Sequence, residues 1–129
     1  MMPLVRIELM KGKPAHFGTR VGEIVYQAMR SAIAIPANDH FQVITEHDHS
    51  SLIYDSTYLD IERSDGLLVI QITLNEGRSL QAKQALYQEI AGQLHEVLGV
   101  RKEDVFINLI EVKKENWSFG KGIAQYAQS

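Results

Sequence analysis

The chain contains no cysteine. Disulfide bonds, thiolate nucleophiles and cysteine-held metals are therefore excluded. It has no basic excess either: 13 Lys and Arg stand against 16 Asp and Glu, a net charge of −3. A general nucleic-acid binder carries the opposite balance, so no nucleic-acid partner is expected. No apolar run approaches the length of a membrane-spanning helix, and Met1-Met2-Pro3-Leu4-Val5-Arg6 meets a charge too early for a secretory signal. The expectation is a cytoplasmic protein with no membrane partner. Without a secretory signal the sequon Asn116-Trp117-Ser118 has no route to glycosylation. There is no G-x-G-x-x-G or Walker pattern, and Gly12 and Gly77 stand alone as turn glycines.

What is present is an ordinary globular composition. The 129 residues are 45% hydrophobic and 22% charged. That balance excludes a mainly disordered chain and suits one domain spanning residues 1–129. The strongest internal signal is a repeat. A shift of 65 positions aligns the two halves without a gap. Leu4, Val5, Ile7 and Leu9 fall on Val69, Ile70, Ile72 and Leu74. Gly12-Lys13 falls on Gly77-Arg78, and Val21, Val25, Met29 and Ile33 fall on Leu86, Ile90, Leu94 and Leu98. Asp39 meets Asp104, and Phe41 meets Phe106. Residues 3–47 and 68–112 read as two copies of one unit, with 113–129 as a tail.

Each copy reads β-α-β. Residues 4–9 alternate as a strand, with Val5, Ile7 and Leu9 on one face. Gly12 and Pro14 break that strand and open a helix, whose stripe is Val21, Ile24, Val25, Ala28, Met29, Ala32 and Ile33. Pro36 ends the helix, and a second strand starts near Asp39. The second copy opens with residues 67–74, an apolar run that suits a strand buried on both faces. Ser79 is a candidate N-cap and Gly99 a candidate C-cap. Between them lies a stripe of Leu86, Ile90, Leu94, Val97 and Leu98, and residues 105–112 close the unit.

Two such units join into a four-stranded mixed sheet with both helices on one face, an α/β (α+β) fold. The other face then needs cover, which argues for a symmetric oligomer. The connection 48–65 and the tail have no mate in the repeat.

Pro3 has two meanings. As an internal residue it merely precedes a strand, where its missing N–H costs little. As the first residue it would carry a free secondary amine, able to act as acid, base or nucleophile. Three stretches weigh on this choice: Pro3 with its strand; Ile35-Pro36-Ala37-Asn38-Asp39-His40-Phe41-Gln42; and Trp117-Ser118-Phe119-Gly120-Lys121-Gly122. In that order and spacing, the chain resembles the tautomerase superfamily, and most closely its malonate semialdehyde decarboxylase-like subgroup. The resemblance implies a catalytic amino-terminal proline at Pro3, with Asp39 near it and Arg78 holding a substrate carboxylate. It implies Trp117 and Phe119 as walls of the site, a homotrimer, and a small oxo-acid substrate. No cofactor and no metal are expected. The decarboxylase pattern carries two arginines after the third strand, where this chain has Asn75-Glu76-Gly77-Arg78. Phe41 stands where a tyrosine can occur, and lines the expected substrate site.

Each of these residues also has a plainer structural reading. Asp39 can simply begin a strand, as Asp104 does. Arg78 mirrors Lys13 as a solvated turn cation. Trp117 and Phe119 can be packing in the tail. His40, His47 and His49 with Asp48 could suggest a metal, but no third ligand has a defined spacing, and a solvated loop is the better reading. Glu8 and Glu46 read as strand-face charges.

The start of the chain matters chemically. Methionine aminopeptidases cut Met-Pro and mostly spare Met-Met. With both methionines retained, the Pro3 nitrogen is a tertiary amide with no basic lone pair. Three functions follow for the scaffold: a tautomerase acting on a 2-oxo or 3-oxo acid, a malonate semialdehyde decarboxylase, and a non-catalytic oligomeric binding protein.

Overall fold

The computed structural model of the chain describes residues 3–127. Strand β1 (Leu4–Met10) leads through a turn at Gly12, where φ is 100°, to helix α1 (Phe17–Ile33). Strand β2 (Phe41–His47) completes the first unit. After the 48–65 connection come β3 (Leu68–Asn75), α2 (Leu80–Leu98) and β4 (Val105–Val112). The ends of matching elements lie 65 positions apart: Met10 with Asn75, Ile33 with Leu98, and His47 with Val112. No helix among the described residues is long and apolar enough to cross a membrane.

The sheet order is β2-β1-β3-β4. Pairs β1–β2 and β3–β4 are parallel, and β1 meets β3 antiparallel, with Leu4 opposite Thr73 and Leu9 opposite Leu68. The two β-α-β units thus join at the middle of the sheet. Val5, Ile7 and Leu9 of β1 and Leu68, Ile70, Ile72 and Leu74 of β3 share one face and are fully or almost fully buried. Val21, Val25, Met29 and Ile33 of α1 and Leu86, Ile90 and Leu94 of α2 cover them. Burying one such side chain is worth about 1.5–3 kcal/mol, so this layer holds the fold.

The second face carries Leu4, Arg6 and Glu8 of β1, Val69, Gln71 and Thr73 of β3, and the alternate residues of both edge strands. Phe41 is 54% exposed there and Phe106 44%. Residues 67–74 therefore bury one face fully and the other only in part, rather than both. Val97 also departs from the expected stripe and is exposed. In the last turn of α2, Leu98 packs against the core in its place. The second strand begins at Phe41 rather than near Asp39, because the Asp39 N–H closes a turn onto Pro36 O at 3.2 Å.

The caps follow the local chemistry. Ser79 accepts from the Ala82 N–H at 3.1 Å and satisfies one orphan donor of α2. Both helices end in a left-handed residue, Ala34 (φ 57°) and Gly99 (φ 68°). The following N–H then returns to the sixth carbonyl back, Ile35 to Met29 at 3.4 Å and Val100 to Leu94 at 3.2 Å, which is a Schellman closure. Glycine takes that conformation freely, whereas an alanine pays about 1–2 kcal/mol for it. Ala34→Gly is therefore expected to stabilise the chain by about 0.5–1 kcal/mol, and Gly99→Ala to destabilise it by a similar amount. Urea denaturation of both variants checks this; a loss of stability in Ala34→Gly would refute it.

Candidate active site

The antiparallel seam decides which residues can meet. It puts the start of β1, the start of β2 and the ends of β3 and β4 at one end of the sheet. Leu4 pairs with both Phe41 and Thr73, and Asn75 pairs with Val112. Pro3, Asp39, Asn75 and Arg78 all belong to that end.

Asp39 sits on the 34–40 loop, which Tyr26 of α1 clamps. The Tyr26 hydroxyl donates to Ala37 O and reaches Pro36 O at 3.4 Å. Its ring stacks on His40 with centroids 4.2 Å apart. Asp39 is only 8% exposed, and its Oδ1 has no hydrogen-bond partner. Burial pushes its carboxyl above the ordinary range, with the amino-terminal charge opposing.

Asn75 ends β3 at 5% exposure. The Trp117 indole N–H donates to its Oδ1 at 2.7 Å. Pinning the oxygen leaves the amide Nδ2 buried with no acceptor. Arg78, three residues on, donates from Nη1 to Asn75 O at 3.1 Å. Partial burial lowers the guanidinium pKa and the Glu111 carboxylate opposes that; an arginine stays charged regardless. Glu111, which acts on Arg78, is itself ion-paired to Lys83 at 2.7 Å.

The tail folds back over this end as an aromatic run. Trp117 and Phe119 stack at 5.5 Å, and Tyr126 meets Phe119 edge-on at 4.8 Å. Burial and the Asp39 charge both raise the Tyr126 pKa, burial more. Asn75, Trp117, Phe119, Tyr126 and Asp39 are thereby linked. Phe41 stands apart from this run, exposed on the second sheet face beside Leu4. Pro3 itself is buried.

Sequence reasoning missed Asn75, Tyr126 and Tyr26. Asn75 had a signal, as the polar end of an apolar strand. Tyr126 has no mate in the repeat, and Tyr26 reads as part of a helix. The histidines do not converge. His47 bonds Glu8 at 2.6 Å and Ser51 at 2.9 Å, and His49 pairs with Asp65 at 3.3 Å. Among the described residues no group of three or more His, Cys, Asp or Glu could hold a metal.

Asp104, the repeat mate of Asp39, is 2% exposed and fully engaged. Its oxygens accept from Ser64 N at 2.7 Å and Ser64 Oγ at 2.6 Å, and Arg101 lies 3.5 Å away. One buried aspartate is thus a structural anchor and its twin is not.

The fold defines the chain as a duplicated β-α-β protein of the tautomerase type. A family model described as "Tautomerase enzyme" matches residues 39–120. The chain is 44% identical over 124 residues to the probable tautomerase YusQ of Bacillus subtilis (strain 168), covering 96% of this chain and 98% of that one. It belongs to the tautomerase family. Among solved structures it is similar to FG41 malonate semialdehyde decarboxylase inhibited by 3-bromopropiolate, at 35% identity and a TM-score of 0.87, over 95% of this chain and 93% of that one. A fused 4-OT, described as a symmetric trimer, shares the fold at 19% identity and a TM-score of 0.77, over 98% of this chain and 99% of that one.

The two aspartates should respond oppositely to substitution. Asp104→Ala leaves the Ser64 N–H and hydroxyl unpaired and should cost about 1–3 kcal/mol. Asp39 has a raised pKa in the fold, so ionising it opposes folding, and that cost is present above its folded pKa. Asp39→Asn should therefore raise Tm at pH 7, and the gain should fade as pH falls through the raised folded pKa and be gone by the ordinary value of 3.8. Thermal denaturation across pH 3–8 checks both; an Asp39→Asn variant that melts lower at pH 7 would contradict the assignment.

Proposed function

We propose that the chain is a tautomerase acting on a small 2-oxo or 3-oxo acid, with the Pro3 amine as its acid–base group. The observation that carries this reading is the pair of buried, unpartnered polar atoms at one end of the sheet. Asp39 Oδ1 is an acceptor and Asn75 Nδ2 a donor, both at the end where Pro3 and Arg78 lie. Native proteins rarely leave such atoms unpaired unless a ligand completes them.

The roles follow from the chemistry. Arg78 holds the substrate carboxylate through its planar fork. Asn75 Nδ2 donates to the enol or carbonyl oxygen, its direction fixed by Trp117. The neutral Pro3 amine takes the proton from that oxygen, and its conjugate acid delivers one to carbon, so the proton balance closes without a cofactor. Trp117, Phe119 and Tyr126 form an aromatic wall beside the site. Arg78 and the apolar walls lower the amine pKa, while an ionised Asp39 raises it.

The amine requires that Pro3 be the first residue, hence removal of Met1 and Met2. In the second unit, the residues ahead of β3 fold over Asp104 and satisfy it. A chain starting at Pro3 leaves Asp39 open to a ligand.

A second reading, malonate semialdehyde decarboxylase, is favoured by the 35% identity to a protein of that name. A protonated amine would then polarise the carbonyl as carbon dioxide leaves. The exposed apolar residues of the second sheet face, Phe41, Val43, Phe106 and Ile110, support a homotrimer that covers them.

Intact mass first identifies chains that begin at Pro3. These should ketonise the enol of phenylpyruvate, followed by ultraviolet absorbance. Pro3→Ala in a processed chain should abolish turnover, and Arg78→Ala should raise KM by about 10- to 100-fold. An essential neutral amine gives a rate that rises with pH through its pKa; the decarboxylase reading gives the reverse and releases acetaldehyde from malonate semialdehyde. Strong activity from a chain that retains both methionines would sink the proline mechanism.

A further inference from the structure

The duplication that builds the candidate active site also builds its counterpart at the opposite end of the sheet. A shift of 65 carries Asp39 to Asp104, Arg78 to Lys13 and Pro3 to Leu68. Lys13, Ser64, Gly66, Arg101 and Asp104 border a cavity of about 370 Å³ there, with Phe17 and Leu98 on its apolar side. Leu68 lies inside the chain and offers no amine, so the proline chemistry is impossible at this end. The charged groups are nonetheless present there.

Their state differs from that of their mates. The Asp104 oxygens are taken by Ser64 N (2.7 Å) and Ser64 Oγ (2.6 Å), with Arg101 at 3.5 Å. Lys13 has no carboxylate partner among the described residues; its ammonium lies 5.5 Å from the Phe17 ring centroid. A Cβ placed on Gly66 would stand 3.5 Å from Lys13 Nζ and 3.1 Å from Asp104 Oδ2. Gly66 thus keeps the space between the two charges clear. Two cations and one engaged carboxylate leave this cavity with a positive excess.

We propose that it is a second, non-catalytic binding site for a small carboxylate of the size of a 2-oxo acid. Lys13 takes the carboxylate charge, with Arg101 beside it. Phe17 and Leu98 accept a short carbon skeleton, which inorganic phosphate lacks. The site goes beyond the proposed reaction and does not depend on the Pro3 amine.

Amide NMR of the full chain titrated with pyruvate tests it. Pyruvate should shift the amides of Gly66, Gly99 and Val100, and should still do so in Arg78→Ala. Lys13→Met keeps the apolar stem over Phe17 but removes the charge. It should weaken the response of those three amides by about tenfold or more while leaving any shifts at Asn75 and Gly77 unchanged. Shifts confined to the Arg78 end, or an unchanged Gly66 response in Lys13→Met, would overturn the site. Equal affinity for phosphate would overturn its assignment to carboxylates. Loss of phenylpyruvate ketonisation with the Gly66 response intact would count against the proposed reaction and not against this site.

Discussion

The antiparallel pairing of β1 with β3 governs the rest of the molecule. Each β-α-β unit needs only parallel pairing within itself, because a helical crossover returns the chain in the same direction. Had the units met through parallel strands, the start of β1 and the end of β3 would lie at opposite ends of the sheet. The register of Leu4 on Thr73 and Leu9 on Leu68 brings them together instead. Because the seam relates two similar units, it produces two similar ends, one around Asp39 and one around Asp104. The core is shared by both ends, since Ile7 and Ile70 face each other at its centre.

The two ends then diverge through what precedes each strand. Ahead of β3 runs a long connection, and Ser64 from it satisfies Asp104. Around Asp39 the polar atoms stay unpaired at a cost of about 1–3 kcal/mol each. Tyr26 and Trp117 keep those atoms from escaping that cost by rotation. Tyr26 fixes the Asp39 loop from behind, and Trp117 holds the Asn75 amide by its oxygen. The strain is therefore held in place by well-packed neighbours, as is usual where a fold gives up stability for a site.

The sequence made some of this legible and hid the rest for definite reasons. Strand β4 was read at its observed bounds, and the Ser79 and Gly99 caps were recognised, because each depends on a few adjacent residues. Val97 was misplaced because periodicity cannot see where Leu98 takes over the contact with the core. Asp39 and Arg78 stand out as candidates only through their likeness to a family, since a carboxylate before a strand and a cation after one are also what plain turns require. Asn75, Tyr126 and Tyr26 were missed because their significance is tertiary. The amide matters only through the indole 42 residues away, and Tyr26 only through the loop it clamps.

The electrostatics of the Asp39 end bear on which of the two proposed chemistries the amine would perform. Burial raises the Asp39 pKa even with the amino-terminal charge opposing it. An adjacent secondary amine would couple to it, so that the two share their protons as a pair rather than titrating singly. Where Arg78 and the aromatic tail dominate, the amine stays neutral and serves as a base. Where an ionised Asp39 dominates, the amine stays protonated and serves as an acid. The Tyr126 ring stands close enough to Asp39 to feel its charge. On the proposed reading, the choice between proton shuttling and decarboxylation would turn on the surroundings of one carboxylate, with the sheet and its helices unchanged.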